Sequence, residues 1–200
     1  MIKLIGVTGP IGSGKSSLRG VFEELSVPVI DSDELARRAV RPGSPALIEL
    51  AGEFGNNIMC PDGSLNRKAL AEAAFSSNER AARLNAITHP HILKLMHERL
   101  SVFVSPYAVI EAPLLFEAEL DKECYAVIAV IAPKEDRLRR VQARDGMTAE
   151  EAIRRVEIQP GDEFYTSRAD YVIENSGDMG QFSGKAREMI RNIIKGTHHD

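Results

Sequence analysis

Residues near the start of the chain have the types and spacing of a phosphate-binding loop. The stretch from Thr8 to Ser16 reads TGPIGSGKS and fits the pattern G-x-x-x-x-G-K-[ST] between an apolar predicted strand and a predicted helix. The glycines allow successive N–H groups to face one anion, and the helix start adds partial positive charge. Lys15 can reach the outer phosphates, and the Ser16 hydroxyl can ligate a bridging magnesium ion. The alternative is a glycine-rich turn that only connects a strand to a helix.

An acidic group follows the second predicted strand. Asp31, Ser32 and Asp33 come directly after the apolar residues 27–30. In a parallel sheet the Asp33 carboxylate lies on the same edge as Lys15, where it can orient or deprotonate a hydroxyl that attacks a terminal phosphate. Asp and Ser also favour helix N-caps. We expect both roles, with Asp31 or Ser32 capping the next helix and Asp33 available for chemistry.

Arginines concentrate between positions 137 and 155. Arg140 and Arg144 lie four residues apart, so both occupy one face of a predicted helix. Such a cluster can clamp nucleotide phosphates when the segment closes, and phosphoryl transfer needs water excluded and charge neutralised. The alternative is a solvated helix face balanced by neighbouring carboxylates. Because the segment accompanies a phosphate loop, we favour a mobile arginine-rich lid.

Two further segments carry candidate groups. Pro90 lies inside a predicted long helix and should kink or interrupt it, which gives His89 an unusual position, although packing alone can explain this pair. Residues 113–117, PLLFE, follow a buried strand and form an apolar wall with a terminal acid. That wall can hold an organic substrate, or it can be an edge of the core. Histidines at 89 and 91, and the pair His198 and His199 in the tail, are weak support for a metal site.

The elements that position these groups follow from five apolar segments. Parallel strands are predicted to begin near Ile2, Val27, Tyr107, Tyr125 and Asp170, with helical crossovers between them. This order predicts an α/β fold, a three-layer doubly wound sandwich around a five-stranded parallel sheet. Ligands of such sheets bind beyond the carboxyl ends of the strands. Between the second and third strands the chain leaves the sheet for two helices, near residues 65–75 and 79–100.

Composition limits the classes of partner. With 200 residues, one domain with small inserted subdomains is expected. A formal net charge of −4 provides no global field for a nucleic-acid backbone, so we expect no nucleic-acid partner. No targeting segment or bilayer-spanning run is present, and Cys60 and Cys124 look like free thiols, so a cytoplasmic location without membrane association is expected. The sequence leaves a monomer and a small homo-oligomer equally open.

The ordered combination of motifs resembles the dephospho-CoA kinases. The shared features span nearly the whole chain: the loop Thr8 to Ser16, Asp31 to Asp33, Leu65-Asn66-Arg67 with Leu70, His89-Pro90, Pro113 to Glu117, Arg140 with Arg144 and Asp145, Gln159, and Ala169-Asp170 leading to Val172, Ile173 and Asn175. The resemblance implies a P-loop nucleoside-triphosphate hydrolase-type fold. It also implies transfer of the ATP γ-phosphoryl group to the ribose 3'-hydroxyl of dephospho-CoA, giving CoA and ADP, the last step of CoA synthesis. The alternatives are another P-loop nucleotide or small-molecule kinase, or a P-loop ATPase switch.

The resemblance also implies roles for individual residues. Asp33, Lys15 and Arg140 are expected to be catalytic, with Mg²⁺ on Ser16. The expected ATP-binding residues are Gly9, Ile11, Gly12, Ser13, Gly14, Lys15, Ser16, Ser17, Arg144 and Asn175. The expected substrate-binding residues are Asp33, Arg67, His89, Leu115 and Glu117. The single kinase domain would comprise a core of residues 1–60, 101–139 and 166–200, a CoA-binding helical insertion at 61–100 and a lid at 140–165.

The chain departs from the family pattern at two places. Pro10 stands where the family usually has glycine, which removes one N–H, although the main donors of the loop lie later, from Gly12 to Ser16. Near the end of the lid the family commonly has a Glu-Glu-Lys run, whereas residues 163–166 here read EFYT. Arg168 is a candidate to replace the missing basic group.

Overall fold

The computed structural model describes residues 2–196. The tail histidines and the last residues of the predicted core lie outside this range. The chain divides into two compact units, Met1–Ile30 together with Phe103–Asp200, and Asp31–Val102. The predicted insertion at 61–100 falls inside the second unit, and its boundaries and those of the lid stay predictions.

A five-stranded parallel sheet is the framework of the protein. The strands are β1 (Lys3–Thr8), β2 (Val29–Asp31), β3 (Tyr107–Glu111), β4 (Ala126–Ile131) and β5 (Tyr171–Glu174), in the order β2-β3-β1-β4-β5. In the centre, Ile5 of β1 pairs with Val109 of β3 and with Ala126 of β4. The order reverses at β1, and ligands of open parallel sheets bind beyond the carboxyl ends at such a point. With helices on both sides of the sheet, the predicted fold class is confirmed.

Within residues 2–196, the first unit has one α-helix after β1, three between β4 and β5, and one after β5. They are α1 (Lys15–Glu24), α6 (Lys134–Asp145), α7 (Ala149–Glu157), α8 (Asp162–Thr166) and α9 (Met179–Lys195). One core cluster joins the sheet to the apolar faces of α1 and α9, including Ile5, Phe22, Ile128 and Phe182, each at most 2% exposed. Burial of such side chains stabilises the fold by about 1.5–3 kcal/mol each. The core therefore fixes the end of β1 and the start of α1, and with them the loop between.

The second unit is helical. It contains α2 (Ser32–Ala39), α3 (Pro45–Phe54), α4 (Arg67–Ala74) and α5 (Asn78–Ser101). Their N-termini are capped by side-chain oxygens of Asp31, Ser44, Asn66 and Ser77. Leu50, Phe54, Ile58 and Leu70 form its core with neighbouring apolar side chains.

One sequence expectation fails in this unit. The helix α5 runs unbroken through Pro90, so the predicted interruption is absent. Proline removes one backbone donor, but α5 is 24 residues long and packs on α2, α3 and α4. Those contacts keep the helix continuous on both sides of Pro90. Among residues 2–196, no helix is long and apolar enough to span a bilayer.

Candidate nucleotide site

The loop between β1 and α1 folds into a tight cradle. Gly12 and Gly14 have φ angles of +76° and +96°, in the region that side chains disfavour. A Cβ atom at Gly12 would lie 2.6 Å from the carbonyl oxygen of Arg137, and one at Gly14 would overlap the side-chain nitrogen of Asn175. Glycine is therefore required at both positions, for conformation and for space.

Lys15 begins α1 and turns back over the loop. Its Nζ donates to the carbonyl oxygens of Gly9, at 2.8 Å, and of Pro10, at 3.2 Å. The loop itself closes through a 3.2 Å bond from the Ser13 N–H to the Pro10 carbonyl oxygen. The ammonium group thus lies against the first residues of the loop.

Arg140 and Asn175 fasten the other half of the loop. Arg140 Nη1 donates to the carbonyl oxygens of Gly12 (3.1 Å) and Ser13 (3.3 Å), and its Nη2 donates to that of Asn175 (3.0 Å). The Asn175 side chain is 2% exposed and donates from Nδ2 to the Ser13 carbonyl oxygen at 2.9 Å. Hydrogen bonds thereby link the phosphate loop to the carboxyl end of β5, through Asn175, and to α6, through Arg140.

A cavity of about 450 Å³ opens beside this half of the loop. Its walls come from the loop, α1, α6 and the segment after β5: Gly12, Gly14, Ser16, Ser17, Arg140, Val141, Ala143, Arg144, Asn175 and Met179. Arg144 forms a two-pronged ion pair with Asp145, at 2.7 and 2.9 Å, and this carboxylate raises the pKa of Arg144. The cavity combines fixed N–H groups, two arginines and an apolar wall, which suits a nucleotide.

The first half of the loop, residues 9–11, contacts the connection between α7 and α8. The N–H of Ile11 donates to Oε1 of Gln159, in the connection between α7 and α8, at 2.6 Å. Arg137 of α6, whose backbone lies against Gly12, pairs with Asp162 of α8 at 3.7 Å. The predicted lid segment therefore contacts the loop directly through Gln159, and it contacts through Asp162 the helix residue that lies against Gly12.

Asp33 occupies the first turn of α2 in the second unit. The Asp31 carboxylate caps α2 by accepting from the N–H groups of Asp33 (2.8 Å) and Glu34 (3.2 Å). Asp33 is exposed, and no partner for its carboxylate is found among residues 2–196. Of the two capping candidates, Asp31 takes the role, and Asp33 remains available.

The second unit has a groove of its own, of about 290 Å³. Helices α2, α4 and α5 supply most of its apolar wall, which includes Val40, Leu70 and Leu84. Arg37 and Arg67 also line it, and Phe75 is 71% exposed there.

The remaining predicted substrate residues lie in different settings. His89 is half-buried on α5. Leu115 is completely buried and packs against Gly6 of β1, so its side chain offers no surface to a ligand in this structure. Glu117 is exposed, and its charge, after burial, helps to raise the pKa of Tyr165 to about 12.

Comparison with known proteins assigns the family. A sequence model described as CoaE, dephospho-CoA kinase, matches residues 3–181. The dephospho-CoA kinase of Anaeromyxobacter dehalogenans is 40% identical over 199 residues, which cover 98% of this chain and 94% of the relative. The chain belongs to the dephospho-CoA kinase family.

Solved structures agree with this membership. A crystal structure from Thermus thermophilus superimposes with a TM-score of 0.81 at 33% identity, covering 99% of both chains. The dephospho-CoA kinase from Campylobacter jejuni gives a TM-score of 0.70 at 27% identity, covering 99% of this chain and all of the other. As a member of the dephospho-CoA kinase family, the chain is a P-loop kinase with ATP as co-substrate and small-molecule substrates.

Several residues beside the phosphate loop could not be identified from the sequence. Val141, Ala143 and Met179 line the cavity, but as apolar helical residues they carry no signal that distinguishes them from core. Arg137 was grouped with the lid arginines, whereas its backbone closes on Gly12. The i,i+3 spacing of Val141 and Arg144 on one helix face is the one pattern that could have indicated the cavity wall.

Proposed function

We propose that the chain transfers the γ-phosphoryl group of ATP to the ribose 3'-hydroxyl of dephospho-CoA, the final step of CoA synthesis. The observation that carries the proposal is the braced phosphate loop beside a nucleotide-sized cavity, in a member of this family. The hydroxyl oxygen bonds to the γ-phosphorus, the bond to the bridging oxygen of ADP breaks, and the hydroxyl proton goes to Asp33.

The nucleotide side of the reaction uses the first unit. Nucleotide phosphates would lie against the N–H groups from Gly12 to Ser16, and the Lys15 ammonium would exchange the carbonyls of Gly9 and Pro10 for phosphate oxygens. The exchange is favourable because the ammonium attracts the full negative charge of a phosphate more strongly than the partial charge of a neutral carbonyl oxygen. Arg140 and Arg144 line the same cavity and would neutralise charge as the phosphoryl group transfers.

Magnesium fits the donor set of this site. Ser16 is an exposed hydroxyl on the first turn of α1 and lines the cavity. Within residues 2–196 no group of three His, Cys, Asp or Glu side chains could enclose a metal. Mg²⁺ that enters with a nucleotide needs few protein ligands, because phosphates and water fill most of its coordination. When bound, the ion would neutralise phosphate charge, while Ser16 holds its position.

Asp33 is proposed as the group that receives the acceptor proton. Its carboxylate is exposed, is not consumed by the α2 cap, and follows strand β2 as the phosphate loop follows β1. General-base assistance of this kind contributes roughly 10²–10⁴-fold to a rate.

The groove of the second unit is proposed to bind part of the acceptor. Dephospho-CoA combines a diphosphate with an adenosine and a long pantetheine arm. Arg37 and Arg67 match the negative charge, and the apolar wall with Phe75 matches the uncharged parts. At about 290 Å³ the groove lies at the low end of small-molecule sites, so it would hold one portion of this acceptor. His89 and Glu117 remain proposed substrate contacts.

A coupled ADP-release assay over several acceptors tests the proposal. Dephospho-CoA, adenosine, AMP, pantothenate and shikimate are each added with ATP and Mg²⁺. Turnover is expected with dephospho-CoA and not with the other four. Turnover on another acceptor without response to dephospho-CoA would overturn the assignment. Omission of Mg²⁺ should abolish the signal.

The setting of the enzyme is proposed from composition. A cytoplasmic location fits the two free cysteines, and a net charge of −4 argues against a nucleic-acid partner. Light scattering coupled to gel filtration would decide between a monomer and a small homo-oligomer.

A further inference from the structure

The Ile11 N–H of the phosphate loop donates to a side chain from the predicted lid segment. Pro10 has no N–H and Gly12 turns the chain with φ +76°, so Ile11 carries the only backbone donor between them. That donor bonds to Gln159 Oε1 at 2.6 Å. The cavity wall starts at Gly12 and does not include Ile11 among the described residues. The bond therefore lies outside the described wall of this cavity.

The connection that carries Gln159 is itself anchored. Three residues further on, Asp162 begins α8 and pairs with Arg137 at 3.7 Å. Arg137 is 8% exposed, and its backbone contacts the position of Gly12. Phe164 of α8 packs edge-on against Phe116, with ring centroids 6.0 Å apart. These contacts hold the segment that carries Gln159 in place, so the Gln159 side chain can hold the Ile11 N–H in one position.

Nucleotide binding would change which bonds hold the first half of the loop. In the present structure, Lys15 holds the carbonyls of Gly9 and Pro10. When its ammonium turns to phosphate oxygens, those two bonds are lost. The Gln159 bond to Ile11 and the Ser13 bond to Pro10 then hold this half of the loop.

We propose that Gln159 is a positioning residue of the nucleotide site, whose amide oxygen keeps the Gly9–Ile11 half of the loop in the conformation that receives ATP. The proposal rests on the proposed function for the identity of the nucleotide. Gln159 contacts no reacting atom, so its loss should weaken nucleotide binding and leave the transfer step, carried out by Lys15, Arg140 and Asp33, largely intact. A preorganised loop loses less conformational freedom on binding.

Calorimetric titration of ADP into three variants tests whether the bond between Gln159 and Ile11 supports nucleotide binding. Gln159→Ala removes the acceptor, Gln159→Glu keeps an oxygen at the same length, and Gln181→Ala alters an exposed glutamine on α9 as the matched control. Gln159→Ala should weaken ADP binding roughly three- to tenfold, the range of one neutral hydrogen bond, and Gln181→Ala should not. In steady-state kinetics KM for ATP should rise by the same factor, with kcat within about twofold.

The Ile11 amide gives a direct signature. In ¹H–¹⁵N spectra of the nucleotide-free protein, its proton resonance should move upfield in Gln159→Ala and stay near the wild-type position in Gln159→Glu and Gln181→Ala. Thermal melts check that all variants fold.

Several outcomes would overturn the proposed positioning role of Gln159. An unmoved Ile11 amide in Gln159→Ala, or unchanged ADP affinity, would remove its basis, and a fall in kcat without a change in KM would contradict a binding role. Tighter ADP binding would mean that the amide oxygen competes with the nucleotide. If the wild-type protein binds ADP but ignores dephospho-CoA, the proposed function fails while the ADP comparison still decides the role of Gln159.

Discussion

The phosphate loop is prepared for an anion by the partners of its carbonyl groups. The carbonyl oxygens of Gly9 and Pro10 accept from Lys15, and those of Gly12 and Ser13 accept from Arg140. Asn175 adds a second bond to Ser13. Because cationic and amide donors hold these oxygens, the negative ends of the peptide dipoles are neutralised. The N–H groups from Gly12 onward then add to the positive field of Arg140 and Arg144 at the cavity wall.

The requirement for glycine at position 14 can be measured against a second glycine of the same segment. Gly14→Ala places a side chain at φ +96° and against the Asn175 side chain, so it should destabilise the protein by more than about 1 kcal/mol and weaken ATP binding. Gly20 lies inside α1 with nothing near its Cβ position, and Gly20→Ala should stabilise by about 0.4–1 kcal/mol. Urea unfolding of both variants checks the opposite signs. Equal effects would refute the clash with Asn175.

A variant of the neighbouring acid distinguishes a catalytic role of Asp33 from a role in the stability of helix α2. Asp33→Asn should lower kcat roughly 10²–10⁴-fold without unfolding, because the carboxylate is exposed and Asp31 provides the cap. Glu34→Gln changes the next exposed acid of the same turn and should retain turnover within about twofold. ADP release at saturating ATP and dephospho-CoA makes the comparison. Near-normal turnover of Asp33→Asn would remove Asp33 from the catalytic assignment.

Helix α6 acts through the geometry of one guanidinium group. Arg140 reaches three carbonyl oxygens on two segments, which a lysine ammonium cannot match with a planar fork. Arg140→Lys should therefore raise KM for ATP and lower kcat, with kcat/KM reduced about tenfold or more.

The control for Arg140 is its neighbour on the same helix. Arg139 points to an exposed ion pair with Asp136 at 2.7 Å, and Arg139→Lys should leave kcat/KM within about twofold. The two variants have the same charge and the same chemical change. Parallel losses in both would contradict a role that is specific to the Arg140 guanidinium, and no loss in either would show that a positive charge at position 140 is sufficient.

The elements differ in how far the sequence could predict them. The strands, the phosphate loop and the Asp31 cap follow from local signals, namely apolar runs, glycine spacing and capping residues. The unbroken path of α5 through Pro90 did not follow, because packing on three other helices outweighs the local cost of proline. The bond between Gln159 and Ile11 joins residues 148 apart, and no local pattern encodes such a contact. Leu115 in the core and Met179 in the cavity wall are likewise set by tertiary packing.

The charge around the cavity has the opposite sign to the net charge of the protein. The formal net charge is −4, yet the described cavity has two arginines in its wall and Lys15 at its loop. A triphosphate therefore meets positive charge locally although the protein as a whole carries a net negative charge. Salt screens the field of these cations over about 8–10 Å at physiological ionic strength. Weakening of ATP binding at high salt is its expected consequence.

Stability of the protein at alkaline pH should depend in part on the half-buried thiol of Cys124. Burial, followed by the charges of Asp121, Glu123 and Asp170, raises the pKa of Cys124 from 9.0 to about 12. Above about pH 9 the unfolded chain releases this proton while the folded chain retains it, so the free energy of unfolding falls with rising pH. The slope from one group is at most about 1.4 kcal/mol per pH unit. Tyr165, raised from 10.0 to about 12, adds its own loss only above about pH 10.

Urea unfolding between about pH 7 and pH 10 isolates the thiol, because the tyrosine has not begun to ionise in the unfolded chain over most of this range. Cys124→Ala should lower stability at neutral pH, since Cys124 Sγ packs near Gly6 and bonds to the Leu120 carbonyl oxygen at 3.3 Å, but its stability should decline less steeply above pH 9. Cys60→Ala changes the other free cysteine and should retain the wild-type slope. Parallel profiles for all three proteins would show that Cys124 ionises alike in the folded and unfolded chains.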